Sequence, residues 1–268
     1  MSLGSSGGQA RATEDLDLEL LAPEAHLTPR DTLLACRLAW MGIGGVALST
    51  AAIAALHLIA PSRTRDPLSS TISEYALMSD GWVFNWAVVL LAVASLAVLL
   101  ALVVQQLVRW RSLGALMTTV WSIGLVGLVV FPKQGFGPDT TFAGRVHWTW
   151  TLIAFFSLPI GTTLMCWSHR RPTGRWPRWA LRLSTISGGW FLVLTAQTVL
   201  SAATPIQAWR AVGLVERALS LTEMAVVVVL GGWVLHDARS PVARPRPSVR
   251  RDAVGREPES SRGGSDVT

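Results

Sequence analysis

The chain has 268 residues, of which half are hydrophobic and only 15% charged, with a formal net charge of +6. Charged residues make up about a quarter of an ordinary soluble domain, so this composition excludes that class and points to lipid as the main solvent. Two cysteines exclude a disulfide framework.

Residues 1–35 are polar, rich in Gly and Ser, and read as a mostly disordered cytoplasmic segment with no signal-peptide cleavage pattern. A helix needs about 20 apolar residues to cross a bilayer. Runs of that kind lie at about 38–60, 83–108, 113–131, 147–167, 184–203 and 218–235. The expected fold is therefore an all-α membrane protein: a six-transmembrane-helix bundle over 36–236, with disordered polar termini. Residues 237–268 form a basic tail, expected to be cytoplasmic. Gly42, Gly44 and Gly45 fall inside the first run with no strand before them, which favours close helix packing over a phosphate loop.

Six spans place the N-terminal segment, the second and fourth loops and the tail on one side. That side holds 17 of the 23 Lys and Arg, including Arg109, Arg111, Arg170, Arg171, Arg175, Arg178 and Arg182. The other side holds Arg63, Arg65, Lys133, Arg145, Arg210 and Arg217. Cytoplasmic loops carry the excess of positive charge, so both termini are expected in the cytoplasm. The basic residues follow membrane side and accompany no nucleic-acid-binding module, so no nucleic-acid partner is expected.

An ionisable residue inside a membrane is costly and marks a candidate site. Glu223 lies inside the sixth run, and Glu216, Ser220 and Glu223 recur at steps of four and three, which places them on one helix face. Two readings of Glu223 stand: a functional acid, or a packing device hydrogen-bonded to Gln197 or a hydroxyl. Direction adds a second clue. His57, Glu74, Asp80, Lys133, Asp139, His147, Glu216 and Arg217 all fall toward the extracytoplasmic end. Such a cluster suits a lipid headgroup, a metal or acid–base chemistry, and equally an ordinary hydrated loop layer. No His pair has ligand spacing, so neither a metal nor another cofactor is expected.

The stretch Pro67–Asn85 (PLSSTISEYALMSDGWVFN), Phe131–Pro132, His147 leading into AFFSLPI, and GLVER at Gly213–Arg217 together resemble the bacterial membrane family called domain of unknown function 998. The resemblance covers about Arg37 to Leu235 and implies six helices in a bacterial cell (inner) membrane. It implies matched positions at Ser70, Ser73, Glu74, Asn85, Pro132, His147, Pro159 and Arg217. Family members often carry an Asp one residue beyond the Phe-Pro pair. Here the segment reads Phe-Pro-Lys-Gln, with Asp139 the nearest acid.

The candidate ligand-binding residues are therefore Ser70, Ser73, Glu74, Asn85, His147, Glu216, Arg217 and Glu223. The leading reading is a multi-pass membrane protein that binds membrane lipids or a membrane protein partner at its extracytoplasmic face, without catalysis. One alternative is a lipid-modifying enzyme with a site around His147. A second is a small transporter using Glu223. The expectation is that His147, Ser73 and Glu216 or Arg217 converge on one pocket.

Overall fold

The computed structural model describes residues 27–134, 141–168, 174–203 and 211–240. Among these residues the chain forms six long helices: α1 (Pro29–Leu56), α2 (Gly81–Val104), α3 (Leu113–Val130), α4 (Phe142–Ser168), α5 (Arg175–Ala203) and α6 (Val212–Arg239). Each is long and apolar enough to cross a membrane. The far N-terminal segment and the tail beyond residue 240, expected to be disordered, lie outside the described residues, as does Asp139.

Several helices begin ahead of their apolar runs, and the local chemistry explains why. At α1, the Thr28 hydroxyl accepts from Asp31 N at 3.2 Å while Thr28 N donates to the Asp31 carboxyl at 2.9 Å, and Pro29 occupies the first turn. This reciprocal cap starts the helix at a polar position the hydropathy pattern does not reach. At α6, the amides of Gly213 and Leu214 both donate to the carbonyl of Leu68, at 2.9 and 3.2 Å. First-turn amides lack intrahelical partners, so a carbonyl supplied by a distant loop lets the helix extend back to Val212. That extension brings Gly213, Glu216 and Arg217 into the same helix as Ser220 and Glu223. In α4, His147 lies inside the helix instead of opening it.

Consecutive helices pack as neighbours, and α1 also packs against α6, which closes the six into a ring. Inside it, α6 further touches α2 and α4. In α1 and α5 only 22% of the membrane-spanning window is buried, against 56% for α2 and α6. The two end helices of the sequence thus differ in role: α1 is a wall and α6 is the core. Trp40, Met41, Leu48, Val93, Leu100, Ile123 and Leu192 point outward, as they do when the surroundings are acyl chains.

Lipid tails are as apolar as the helices, so close backbone approach has to supply much of the attraction between them. Gly42 of α1 makes such an approach: a Cβ there would collide with Val98 and come within 2.8 Å of the Ala94 carbonyl. Gly45 also meets Ala94, while Gly44 faces open space. Helical hydroxyls spend their protons one turn back, as in Thr118 to Gly114 O at 3.0 Å and Thr151 to His147 O at 3.0 Å, which limits the cost of burying them.

Candidate functional site

The connection from α1 to α2 carries two short 3-10 turns, Ser62–Thr64 and Ile72–Leu77. It folds back over the start of α6, and three charged groups hold it there. The first is Arg217. Its Nη1 donates to the carbonyls of Ser70 at 2.7 Å, Pro67 at 2.8 Å and Gly213 at 3.0 Å, and Nη2 donates to the Tyr75 hydroxyl at 3.0 Å. Its Nε donates to His57 Nε2 at 2.9 Å. Guanidinium can only donate, so His57 Nε2 is the acceptor, and its Nδ1 carries the proton given to Ile53 O at 2.9 Å. The guanidinium also lies 5.7 Å from the Tyr75 ring centroid, and Tyr75 is fully buried edge-on to His57. Gly213 makes this possible, because a Cβ there would strike the carbonyls of Ser70 and Pro67.

The second group is Glu216, one turn along the stripe from Gly213. Its buried carboxylate accepts from Ile72 N at 2.9 Å, which ties the start of the second 3-10 turn to α6. The third is Glu74, which is buried in the same turn and pairs with both Arg65 and Lys133, the latter at 3.1 Å. Lys133 also donates to Thr71 Oγ1 at 3.2 Å. Burial pushes the Glu74 carboxyl up, but the hydrogen bond from Arg65 and the charge of Lys133 outweigh it and hold it below the ordinary value of 4.5. At the loop's edge Asp66 accepts from Ser69 Oγ at 2.6 Å and Leu68 N at 3.1 Å, and these bonds hold it low as well. Asp80 accepts from Ser62 Oγ at 2.6 Å and closes the loop at its far end.

Beneath this cover lies a cavity of ≈ 60 Å³. Ile72 and Ser73 form its roof, and Glu216, Ser220 and Glu223 of α6 run down one side. Aromatic rings of Phe84, Trp121 and Phe155 line the rest, together with aliphatic side chains and Thr151. Seven residues at 1.5 Å rise separate Glu216 from Glu223, about 10 Å along the axis, so the second carboxyl lies two turns deeper than the first. Glu223 is only 2% exposed; it accepts a long hydrogen bond from Ser187 Oγ at 3.4 Å, and the Trp121 indole N–H is directed at the same carboxyl without close hydrogen-bond geometry. Neither polar atom of the Gln197 carboxamide has a hydrogen-bond partner.

The candidate residues thus separate into three groups. Ser73, Glu216 and Glu223 line the cavity. Arg217, Glu74 and the backbone of Ser70 hold the loop over it. His147 and Asn85 belong to neither group. A ring nitrogen of His147 meets the Phe131 carbonyl at 2.8 Å, which fastens the start of α4 to the end of α3, and Thr151 and Phe155, one and two turns on, are the residues of α4 that reach the cavity. Asn85 has a buried Oδ1 with no partner. Of the two partners expected for Glu223, a hydroxyl is found, that of Ser187, and Gln197 is not; the Trp121 indole also addresses the carboxyl. Phe84, Phe155 and Thr151 carry no sequence signal that separates them from ordinary helix packing. Ser187 and Trp121 are likewise found only by placing α5 and α3 against α6. Among the described residues no group of three or more His, Cys, Asp and Glu is placed to hold a metal ion.

Six apolar helices, with carboxyl groups buried among them and a charged loop tied across one end, define a multi-pass membrane protein. The family model described as protein of unknown function (DUF998) matches residues 43–233, and the chain belongs to that family. No curated protein and no solved structure matches it.

Glu74 gives the loop a pH dependence of defined sign. A carboxyl held below its ordinary value adds stability that is present above about pH 4.5 and is lost as pH falls through the folded value. Amide protection factors over residues 65–78, which correct for the intrinsic pH dependence of exchange, are expected to fall on acidification below that point, and Glu74→Gln to lower them already at neutral pH. Equal exchange in the two chains at pH 7 would show that Glu74 does not hold the loop.

Proposed function

We propose that the protein is a non-catalytic ligand-binding membrane protein whose site is the loop-covered cavity at its extracytoplasmic end. One observation carries this reading: Glu223 is buried among aromatic and aliphatic side chains, beside open volume, and only weak donors, Ser187 and the Trp121 indole, meet its carboxyl. A polar group in that position is expensive unless something meets it, and concave, mostly apolar sites with a few convergent polar groups are the usual form of small-ligand pockets. The charged loop above fits the same role. Arg217, Glu216 and Glu74 spend their hydrogen bonds holding a cover in place, which leaves Ser73, Ser220 and Glu223 to face an occupant. His147 is bonded to backbone, and that favours binding over acid–base chemistry centred on it.

Native mass spectrometry of the full chain, released gently from detergent, tests the reading. The wild-type protein is expected to retain a lipid or small amphiphile, and Ser220→Phe, which fills the cavity, to lose it while still eluting as a folded species. Retention of the same molecule by the filled variant would sink the proposal.

The orientation rests on the excess of arginine on the side that carries both termini, in a bacterial cell membrane. In a chain with Cys36 and Cys166 replaced by Ser, a membrane-impermeant maleimide is expected to label Leu68→Cys on intact cells, and Arg111→Cys only after permeabilisation. The opposite pattern inverts the assignment and places the cavity at the cytoplasmic end.

A further inference from the structure

We infer that the occupant of the cavity presents a primary ammonium group on a short alkyl chain, of ethanolamine size, with the Glu223 carboxylate as its counter-charge. This rests on the reading of the cavity as a ligand site and narrows it to one chemical class.

Four observations converge on it. A carboxylate offers about four acceptor positions, and at Glu223 the described residues address only two of them, both weakly: Ser187 at 3.4 Å and the Trp121 indole N–H. What the site lacks is donors, and an ammonium brings three and no acceptor. The walls are the second observation. Phe84, Trp121 and Phe155 line the same space as the acid, and aromatic faces beside a carboxylate attract a cation while repelling an anion. Ser220, one turn from Glu223, and Thr151 can accept the remaining ammonium protons. The Thr151 hydroxyl spends its own proton on the His147 carbonyl and keeps its lone pairs.

Size is the third. At roughly 10–15 Å³ for each water-sized group, ≈ 60 Å³ takes about four to six heavy atoms. Ethanolamine fits that room, whereas the trimethylammonium head of choline overfills it. The fourth is the indole N–H of Trp121, which is 1% exposed, lines the cavity and is directed at the Glu223 carboxyl without close hydrogen-bond geometry. It gives the carboxylate a second, weak donor and leaves its other acceptor positions to the ammonium. A divalent metal is a poorer occupant. Glu216 is about 10 Å away along the helix and already accepts from Ile72, so the two acids do not share one ion.

The full chain is reconstituted into nanodiscs of equal parts phosphatidylethanolamine, phosphatidylcholine and phosphatidylglycerol, and lipids retained after detergent release are read by native mass spectrometry. Radiolabelled ethanolamine is titrated separately against the chain in phosphatidylcholine nanodiscs. Selective retention of phosphatidylethanolamine assigns the lipid headgroup as source, and saturable ethanolamine binding in the second arm assigns the free amine; either supports the inference. In both arms Glu223→Gln, which keeps the side-chain shape, is expected to weaken binding about tenfold or more, the usual cost of losing a charged hydrogen bond. Selective retention of phosphatidylglycerol or phosphatidylcholine that Ser220→Phe abolishes and Glu223→Gln leaves intact overturns the ammonium and leaves the cavity as a site. Absence of any retained or titrated ligand overturns both.

Discussion

A single guanidinium organises the end of the bundle where the polar residues gather. Arg217 has five N–H groups and no capacity to accept, so in a mostly apolar setting it has to be surrounded by acceptors. The chain provides them from three separated places: the carbonyls of Pro67 and Ser70 in the long loop, His57 at the end of α1 and Gly213 one turn back on α6. Satisfying that one side chain fixes where the loop lies, how α1 ends relative to α6, and which residue tolerates the crossing backbone. Only a glycine at 213 leaves room for the two loop carbonyls.

The cavity follows from this arrangement. With the loop held down, the carbonyl of Leu68 caps the first amides of α6, and the helix extends far enough for Glu216 to reach Ile72 N. The same helical stripe that anchors the cover then continues downward as Ser220 and Glu223, where no loop is left to contact. The polar face of α6 thus anchors the loop at its upper end and lines the cavity at its lower end. Glu74 reinforces the cover from a different direction, through Arg65 and through Lys133 at the end of α3. These ties converge on one short 3-10 turn, and they make the loop part of the folded bundle instead of a hydrated connection.

Much of this was legible before any coordinates. The six helices follow from hydropathy, and the common face of Glu216, Ser220 and Glu223 follows from helical spacing alone. The gathering of His57, Glu74, Lys133, His147 and Arg217 at one end follows from counting spans. What the sequence hides is which of these groups meet. Hydropathy begins the sixth run at Ala218, and nothing in it shows that the carbonyl of Leu68, far away in the first half of the chain, extends the helix back to Val212. His147 looks like a site residue because an imidazole at a membrane boundary is conspicuous, yet its ring is turned to the Phe131 carbonyl and the cavity is reached by Thr151 and Phe155 instead. Ser187 and Trp121, which face Glu223, sit among many serines and tryptophans with no local mark to separate them. Contacts between helices distant in sequence decide such pairings, and no local pattern records them.

The dependence of the covered cavity on Arg217 is most directly tested by hydrogen–deuterium exchange on the full chain, wild type against Arg217→Gln, in the same lipid. If the guanidinium holds the cover, amides over residues 66–77 and at the start of α6 exchange at least about tenfold faster in the variant, while those in the middle of α2 and α6 keep their protection. Unchanged exchange in the loop would contradict that dependence, and so would a uniform loss of protection through all six helices.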